Sequence, residues 1–187
     1  MSLSEQQENF SSIAADLSPS LLNYLERMVG NPALAKDLLQ ETLMRMSKGL
    51  DGFKQNSTHK TWSYTIASRV IVDYFRSPEN KIDIVDIDTA IDVADVERPL
   101  DEQMIISEMS TCVRQVIDCL PVDYRTPLIL HDLEGMSTAQ IAEVCVCSIA
   151  TVKIRIHRAR SRLKKMLEQK CVFQHDNDDG VLRCDRK

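Results

Sequence analysis

Apolar residues recur at helical spacing along much of this chain. Two stripes of this kind precede residue 50: Leu21, Leu22, Leu25, Met28 and Val29, then Ala35, Leu38, Leu39, Thr42, Leu43 and Met46. Gly30 and Pro32 lie between them, and glycine suits a helix C-cap whereas proline suits a first helical turn. A further helix is predicted over 61–76. Residues 1–76 are therefore predicted to form a small helical domain.

Residues 77–98 break this periodicity. Their segment "KIDIVDIDTAIDVADVE" alternates Ile or Val with Asp, and a period of two is typical of a strand. The sequence offers no second strand to pair with it, and an unpaired strand is not stable in water. We therefore predict an acidic linker here, followed by a second helical domain over 99–170 and a polar tail over 171–187. The predicted fold class is all-α, with two small helical domains.

The second domain contains a segment that fits a helix-turn-helix. Ser137 and Ser148 each precede an apolar-periodic stretch, and serine is a favoured N-cap. After Ser148, one narrow helical arc carries Val152, Ile156, Ala159, Leu163 and Leu167. The opposite side is rich in basic residues. Such a helix can pack on its own domain and enter the major groove of DNA with its N-terminal turns.

Cys145 and Cys147 give the turn a competing interpretation. A tetrahedral zinc site usually needs four ligands, and Cys-x-Cys supplies two at an uncommon spacing. Cys145 lies where a helix-turn-helix buries an apolar residue, and cysteine behaves as a small hydrophobe there. We therefore favour a structural role for both cysteines.

The distribution of charge changes the meaning of the net charge of −5. Residues 81–112 carry nine acidic residues and two basic ones, whereas residues 153–170 carry eight basic residues and one acidic one. A local basic stripe is what contact with phosphates requires. The chain shows no secretory signal and no apolar run near the ~20 residues of a membrane span. We expect a cytoplasmic protein without membrane insertion, with its six cysteines as thiols.

Two separate segments resemble one protein family. The segment "LPVDYRTPLILHDLEGMSTAQIAEVCVCSIATVKIRIHRARSRLKKML" resembles region 4 of the extracytoplasmic-function (ECF) sigma factors of bacterial RNA polymerase. The segments "AKDLLQETLMRM" and "TWSYTIASRVIVDYFR" resemble region 2 of that family. Together they cover about 110 of the 187 residues, in the family's order. The resemblance implies a region 2 helical bundle and a region 4 helix-turn-helix, with no cofactor and no enzymatic activity.

The resemblance also implies partners and sites. Region 2 would dock on the clamp of the largest catalytic subunit of core RNA polymerase, through Asp37, Leu38, Gln40 and Glu41, and region 4 would dock on the flap. The −10 element of promoter DNA would be melted and read by Lys54, Asn56, His59, Lys60, Arg69, Asp73 and Arg76. Readers of single strands need cations, polar groups and stacking surfaces. Trp62 shares a face with Ile66 and Val70 and is predicted to be core. An anti-sigma factor is a further implied partner.

The −35 element would be read by region 4, through Thr151, Lys153, Ile154, Arg155, His157 and Arg158. Three positions depart from the family pattern. Val146 replaces the glycine of the turn, and because a β-branched residue fits a positive φ poorly we predict a reshaped turn. Ile154 replaces a serine and offers an apolar contact for a thymine methyl group. Arg69 replaces a common asparagine, so the −10 sequence cannot be carried over from the family.

Two alternatives stay open. A stand-alone helix-turn-helix regulator would account for the second domain but would leave the resemblance of the first domain to region 2 unexplained. In the tail, Cys171, His175 and Cys184 are candidates for a metal or redox sensor, although Cys-x3-His-x8-Cys matches no strong zinc template. The other interpretation is a disordered tail with incidental cysteines.

Overall fold

The structure is a computed structural model that describes residues 3–53, 57–77, 111–175 and 182–186. Its N-terminal unit contains the helices α1 (Leu3–Val29), α2 (Pro32–Gly49) and α3 (His59–Arg76), with a 3₁₀ turn at Leu50–Gly52. Its C-terminal unit contains α4 (Thr111–Asp118), α5 (Val122–Asp132), α6 (Thr138–Cys145) and α7 (Ile149–Lys170). The predicted fold class, two helical units, is confirmed. The predicted acidic linker lies outside the described residues apart from Ser77.

The boundary between α1 and α2 forms as the sequence predicts. Gly30 adopts a φ of +70°, a left-handed conformation that glycine takes without steric cost. The side chain of Asn31 then accepts hydrogen bonds from the N–H groups of Ala33 and Leu34, at 3.0 and 3.2 Å. Pro32 opens α2, where its missing N–H has no intrahelical partner to lose.

The core of the N-terminal unit comes from the predicted stripes. Among its fully buried side chains are Leu21, Leu25 and Met28 of α1. Tyr24 is also buried; its hydroxyl lies 2.9 Å from Ser68 Oγ, and burial raises the pKa of Tyr24. The buried apolar residues of both units belong to one contiguous cluster, so the two units pack against each other.

The predicted apolar arc of α7 is confirmed as the buried side of that helix. Val152, Ile156, Ala159, Leu163 and Leu167 are all buried. They belong to the same apolar cluster as Ile141 and Val144 of α6. On the flank of the arc, Arg160 donates hydrogen bonds to Asp132 at the end of α5, which ties α7 to α5. None of the described helices combines the length and apolarity needed to cross a membrane.

Two segments of the tail form an antiparallel β-hairpin rather than a disordered chain. Strand β1 (Cys171–His175) continues directly from α7 and pairs with β2 (Leu182–Arg186). In the register, Phe173 lies opposite Cys184 and His175 lies opposite Leu182. The interpretation of the tail as disordered is therefore wrong for these two segments. The side chains of Cys171, His175 and Cys184 lie outside the described part, so the sensor stays a prediction.

Candidate nucleic-acid interface

Serine caps fix the start of both helices of the predicted helix-turn-helix. The Ser137 hydroxyl accepts the Gln140 N–H at 3.3 Å, while the Gln140 side chain accepts the Ser137 N–H at 2.9 Å. This reciprocal pair is a capping box. At the next helix, the Ser148 hydroxyl accepts the Thr151 N–H at 3.1 Å. Both predicted caps are confirmed, and they set where α6 and α7 begin.

The turn between these helices keeps a left-handed residue despite the loss of glycine. Val146 adopts φ 51° and ψ 51°. The Val146 N–H donates to the Glu143 carbonyl at 3.3 Å, and the Cys147 N–H donates to the Ala142 carbonyl at 3.0 Å. These two bonds form a Schellman motif, which satisfies the last carbonyls of α6. The prediction of a reshaped turn is therefore wrong, because these closing bonds hold Val146 in an unfavourable conformation.

We expect the substitution Val146→Gly to stabilise the chain. The left-handed conformation costs an L-residue about 1–2 kcal/mol, and glycine adopts it freely. Val146 is 72% exposed, so little packing is lost with its side chain. Part of the gain is offset by the greater entropy of glycine in the unfolded state. The free energy of unfolding in urea should rise by about 1 kcal/mol. Destabilisation would show that the turn is not strained.

Four of the predicted −35 readers lie together on the solvent side of α7. Lys153, Ile154, His157 and Arg158 are all exposed, and 51% of Ile154 is open to solvent although it is apolar. Ile149 is a further exposed apolar residue at the start of the helix, but its helical position is in line with the buried arc. We call Lys153, Ile154, His157 and Arg158 the recognition face.

The other two predicted −35 readers are placed differently. The Thr151 hydroxyl lies 2.8 Å from Ser148 Oγ, so it belongs to the helix cap. Arg155 is half-buried and lines a cleft between the two units. Cys145 lines the same cleft, and burial raises the pKa of its thiol to about 12. An un-ionised, half-buried thiol fits the structural role predicted for Cys145.

Three of the predicted −10 readers share one side of α3. Arg69, Asp73 and Arg76 are exposed and fall within about one quarter of the helical circumference. Lys60 is nine residues before Arg69 and so lies on the opposite side of α3, with its ammonium 5.9 Å from the Tyr64 ring centroid. The structure therefore groups the first three and separates Lys60 from them. Lys54 and Asn56 lie outside the described residues.

An aromatic cluster continues this side of α3 towards the N-terminus of the helix. The ring centroids of Phe53 and Trp62 are 5.0 Å apart, and those of Phe53 and His59 are 4.8 Å apart. All three side chains are half-buried, so Trp62 packs against the core without being enclosed by it. Phe53 was not predicted as a site residue. Its place beside Trp62 and His59 is a tertiary contact, which no local pattern reveals.

The predicted polymerase-docking residues divide into two groups. Asp37 and Gln40 are exposed on α2, next to the exposed apolar side chain of Met44. Leu38 is only 7% exposed and belongs to the core, so its assignment to a docking surface is wrong. The amphipathic period of α2 points Leu38 inward along with Ala35 and Thr42.

Glu41 is connected through Arg45 to Asp73, one of the predicted −10 readers on α3. The Arg45 guanidinium donates to Glu41 Oε1 and to Asp73 Oδ2, each at 2.7 Å. These two carboxylates raise the pKa of Arg45. The bridge fixes α2 against α3, so a predicted docking residue and a predicted DNA reader belong to one network.

Two protein-family models match this chain, one on each helical unit. The models of Sigma-70 region 2 and Sigma-70 region 4 match residues 13–80 and 110–163. The ECF RNA polymerase sigma factor SigW of Bacillus subtilis (strain 168) is 31% identical over 169 residues, which cover 86% of this chain and 90% of that protein. The ECF sigma factor EcfG of Rhodopseudomonas palustris (strain TIE-1) is 32% identical, with 87% of each chain covered.

The chain belongs to the ECF RNA polymerase sigma factors of the sigma-70 family. A solved sigma factor has the same overall fold: RpoE of Bartonella quintana, in complex with the anti-sigma factor NepR, superposes with a TM-score of 0.66 at 26% identity. The match covers 86% of this sigma factor and 98% of that chain. The α1–α3 unit is therefore region 2, and the α4–α7 unit is region 4.

Proposed function

We propose that this sigma factor reads the −35 element of its promoters with the recognition face of α7. The single observation that carries the proposal is the arrangement of this face on a helix whose start is capped and whose opposite side is buried. Lys153 and Arg158 supply donors for guanine edges or phosphates, and Ile154 supplies an apolar contact for a thymine methyl group. The Ile154 side chain cannot form hydrogen bonds. We therefore expect the −35 sequence of its promoters to differ from the −35 sequences that sigma factors with a serine at this position read.

We propose that the −10 element is bound as a single strand along one side of α3. Arg69 and Arg76 provide positive charge for the backbone, and the cluster of Phe53, His59 and Trp62 provides stacking surface at the other end. Proteins that hold single strands combine these two features. The aromatic end of α3 therefore suits the bases of the DNA strand, and the basic end of α3 suits its phosphate backbone.

We propose that Asp37, Gln40 and Met44 form the contact with core RNA polymerase, on the clamp of its largest catalytic subunit, with region 4 on the flap. Their side of α2 is exposed, whereas the other side packs in the core. The protein acts in the cytoplasm, where the polymerase works, and it has no catalytic activity of its own. By analogy with RpoE of Bartonella quintana and NepR, an anti-sigma factor controls it.

The aromatic cluster is tested by the substitution Phe53→Ala. Base–aromatic stacking contributes about 1–3 kcal/mol per base, so we expect roughly 10-fold weaker binding of a fluorescent single strand containing the −10 segment to the reconstituted holoenzyme. The salt dependence of binding should stay unchanged, because no charge is removed. The matched variant Arg69→Ala should instead lower the slope of log K against log salt by about 0.7. Unchanged affinity in Phe53→Ala, with the protein folded, would contradict a stacking role.

A further inference from the structure

Three arginine side chains line the cleft between regions 2 and 4. Arg69 and Arg76 belong to α3, whereas Arg155 belongs to α7. The cleft has a volume of about 260 Å³. Its lining also includes three apolar side chains, Val72, Val144 and Val146. We call this space the arginine cleft.

The three guanidinium groups of the cleft have no carboxylate partner in the part of the chain that the structure describes. Most other arginines of that part form ion pairs, namely Arg27, Arg45, Arg114, Arg125 and Arg160. None of the described carboxylates lies within ion-pair distance of Arg69, Arg76 or Arg155. An arginine side chain stays protonated at any physiological pH, so each of the three brings an unpaired positive charge to the cleft.

Two carboxylates also line the cleft, but neither pairs with these arginines. Asp73 accepts a hydrogen bond from Arg45 at 2.7 Å, so its charge is already engaged on the side facing α2. Asp123 lies in the first turn of α5 and is exposed to water. Even with both carboxylates counted, the guanidinium groups outnumber them by three to two. A cleft lined mainly by one sign of charge concentrates ions of the opposite sign.

The chemistry and the size of the cleft fit a small phosphorylated molecule. A guanidinium group presents its N–H donors in a planar fork that matches phosphate oxygens, and several such forks can hold one phosphate group. The volume is below the ~300–1,000 Å³ of pockets for drug-sized ligands. At ~30 Å³ per water molecule, it is the space of about eight or nine waters. A phosphate group with a short carbon chain fits this space, and the valines offer the chain an apolar contact.

We propose that the arginine cleft binds a small phosphate monoester, with the phosphate on the three guanidinium groups and the carbon chain against the valines. Neither region holds the whole site, because Arg155 comes from region 4 and the other two arginines from region 2. Arg69 and Arg76 are also the residues proposed to hold the −10 strand, so the ligand and that strand compete for them. Bound ligand therefore lowers transcription. This consequence rests on the proposed function of α3, whereas binding of the ligand does not.

Isothermal titration calorimetry on the full chain, at constant ionic strength, tests the site itself. The probe is n-propyl phosphate, and the two comparison compounds are inorganic phosphate and n-propanol. We expect one site per chain for n-propyl phosphate and no binding of n-propanol. Each methylene group taken out of water tightens binding about 4-fold, so n-propyl phosphate should bind at least about 4-fold more tightly than inorganic phosphate.

The substitution Arg155→Gln should weaken binding of n-propyl phosphate by about 10- to 100-fold, the usual effect of losing hydrogen bonds to a charged group. The matched control is Arg158→Gln, which makes the same change on α7 at an exposed position outside the cleft. It should bind the probe as the wild-type chain does. Arg155→Lys keeps the charge but loses the planar fork, so it should weaken binding by a smaller factor. It serves as the test variant if Arg155→Gln does not fold.

Run-off transcription tests the competition with the −10 strand. The chain is incubated with n-propyl phosphate before core polymerase and promoter are added, and the amount of transcript is compared with and without the compound for each variant. At ten times its Kd, the compound should lower transcription by the wild-type chain about 10-fold. The transcript from Arg155→Gln should stay nearly the same with and without the compound, and n-propanol should have no effect.

No binding of n-propyl phosphate would overturn the proposal. An equal loss of binding in Arg155→Gln and Arg158→Gln would also overturn it, because it would indicate a general attraction of anions to α7. Equal affinities for inorganic phosphate and n-propyl phosphate would overturn the role of the valines. Specific binding without a loss of transcription would overturn the competition. Failure of the proposed function is distinct from these results, because the holoenzyme would then not depend on Arg69 for the −10 strand even without the compound.

Discussion

Transcription by the holoenzyme is expected to fall about 100-fold or more when Lys153 and Arg158 are both replaced by alanine. Both side chains are exposed on the recognition face. A well-placed contact to a base edge contributes about 1–3 kcal/mol, and the two contacts are far enough apart to add approximately. Run-off transcription from a promoter selected with the wild-type chain measures the loss. The amount of transcript should recover partly at low salt, because each side chain also attracts phosphates.

The control for this variant removes the same charge from the same helix. Lys164 and Lys165 are exposed on α7 beyond the N-terminal turns that enter a major groove. The double variant Lys164→Ala, Lys165→Ala should therefore lose only a few-fold in transcription, through weaker general attraction to DNA. If the two double variants lose transcription equally, the recognition face does not read the −35 element, and only net charge matters.

The second large effect is expected on stability, from the substitution Arg125→Met. Arg125 is 4% exposed, and it donates to the carbonyls of Met28, Leu120 and Asp118. Methionine fills a similar volume but donates no hydrogen bond. Each buried acceptor left without a donor costs about 1–3 kcal/mol, so the free energy of unfolding in urea should fall by roughly 3 kcal/mol or more.

The matched variant for Arg125→Met is Arg158→Met, in which the same change is made on the surface of α7. Its free energy of unfolding should stay within about 0.5 kcal/mol of wild type. Desolvation by burial lowers the pKa of Arg125, which agrees with a guanidinium taken out of water and held by carbonyl groups. A loss under about 1 kcal/mol in Arg125→Met would show that water replaces its hydrogen bonds.

The helices and their ends could be predicted because several local signals agree at each of them. The apolar period, Gly30, Pro32 and the serine caps all describe the same boundaries, and the structure has them there. The recognition face could be predicted for the same reason, since a long amphipathic helix fixes which residues face away from its buried arc.

The structure departs from the predictions where contacts between residues far apart in the sequence determine the position of a side chain. Glu134 accepts hydrogen bonds from Arg27 and Tyr64, which are 107 and 70 residues away, so no local pattern marks these contacts. The family resemblance assigns Arg155 to the −35 element, and the structure places this side chain on the wall of the cleft between the two units, which no local pattern marks. Val146 was expected to reshape its turn, but the hydrogen bonds donated by its own N–H and by the Cys147 N–H outweigh its steric preference. The aromatic cluster brings Phe53 against Trp62 of α3, a tertiary contact that no local pattern marks.

The central claim is that this sigma factor directs core RNA polymerase to promoters through both regions. The most direct test is transcription in vitro with purified core polymerase, with and without the chain, on genomic fragments that include its own upstream region. We expect discrete start sites that require the chain, share −35 and −10 sequences, and disappear in the double variant Lys153→Ala, Arg158→Ala. DNA binding by the chain alone, with no start site that depends on it, would contradict the account and would indicate a stand-alone helix-turn-helix regulator.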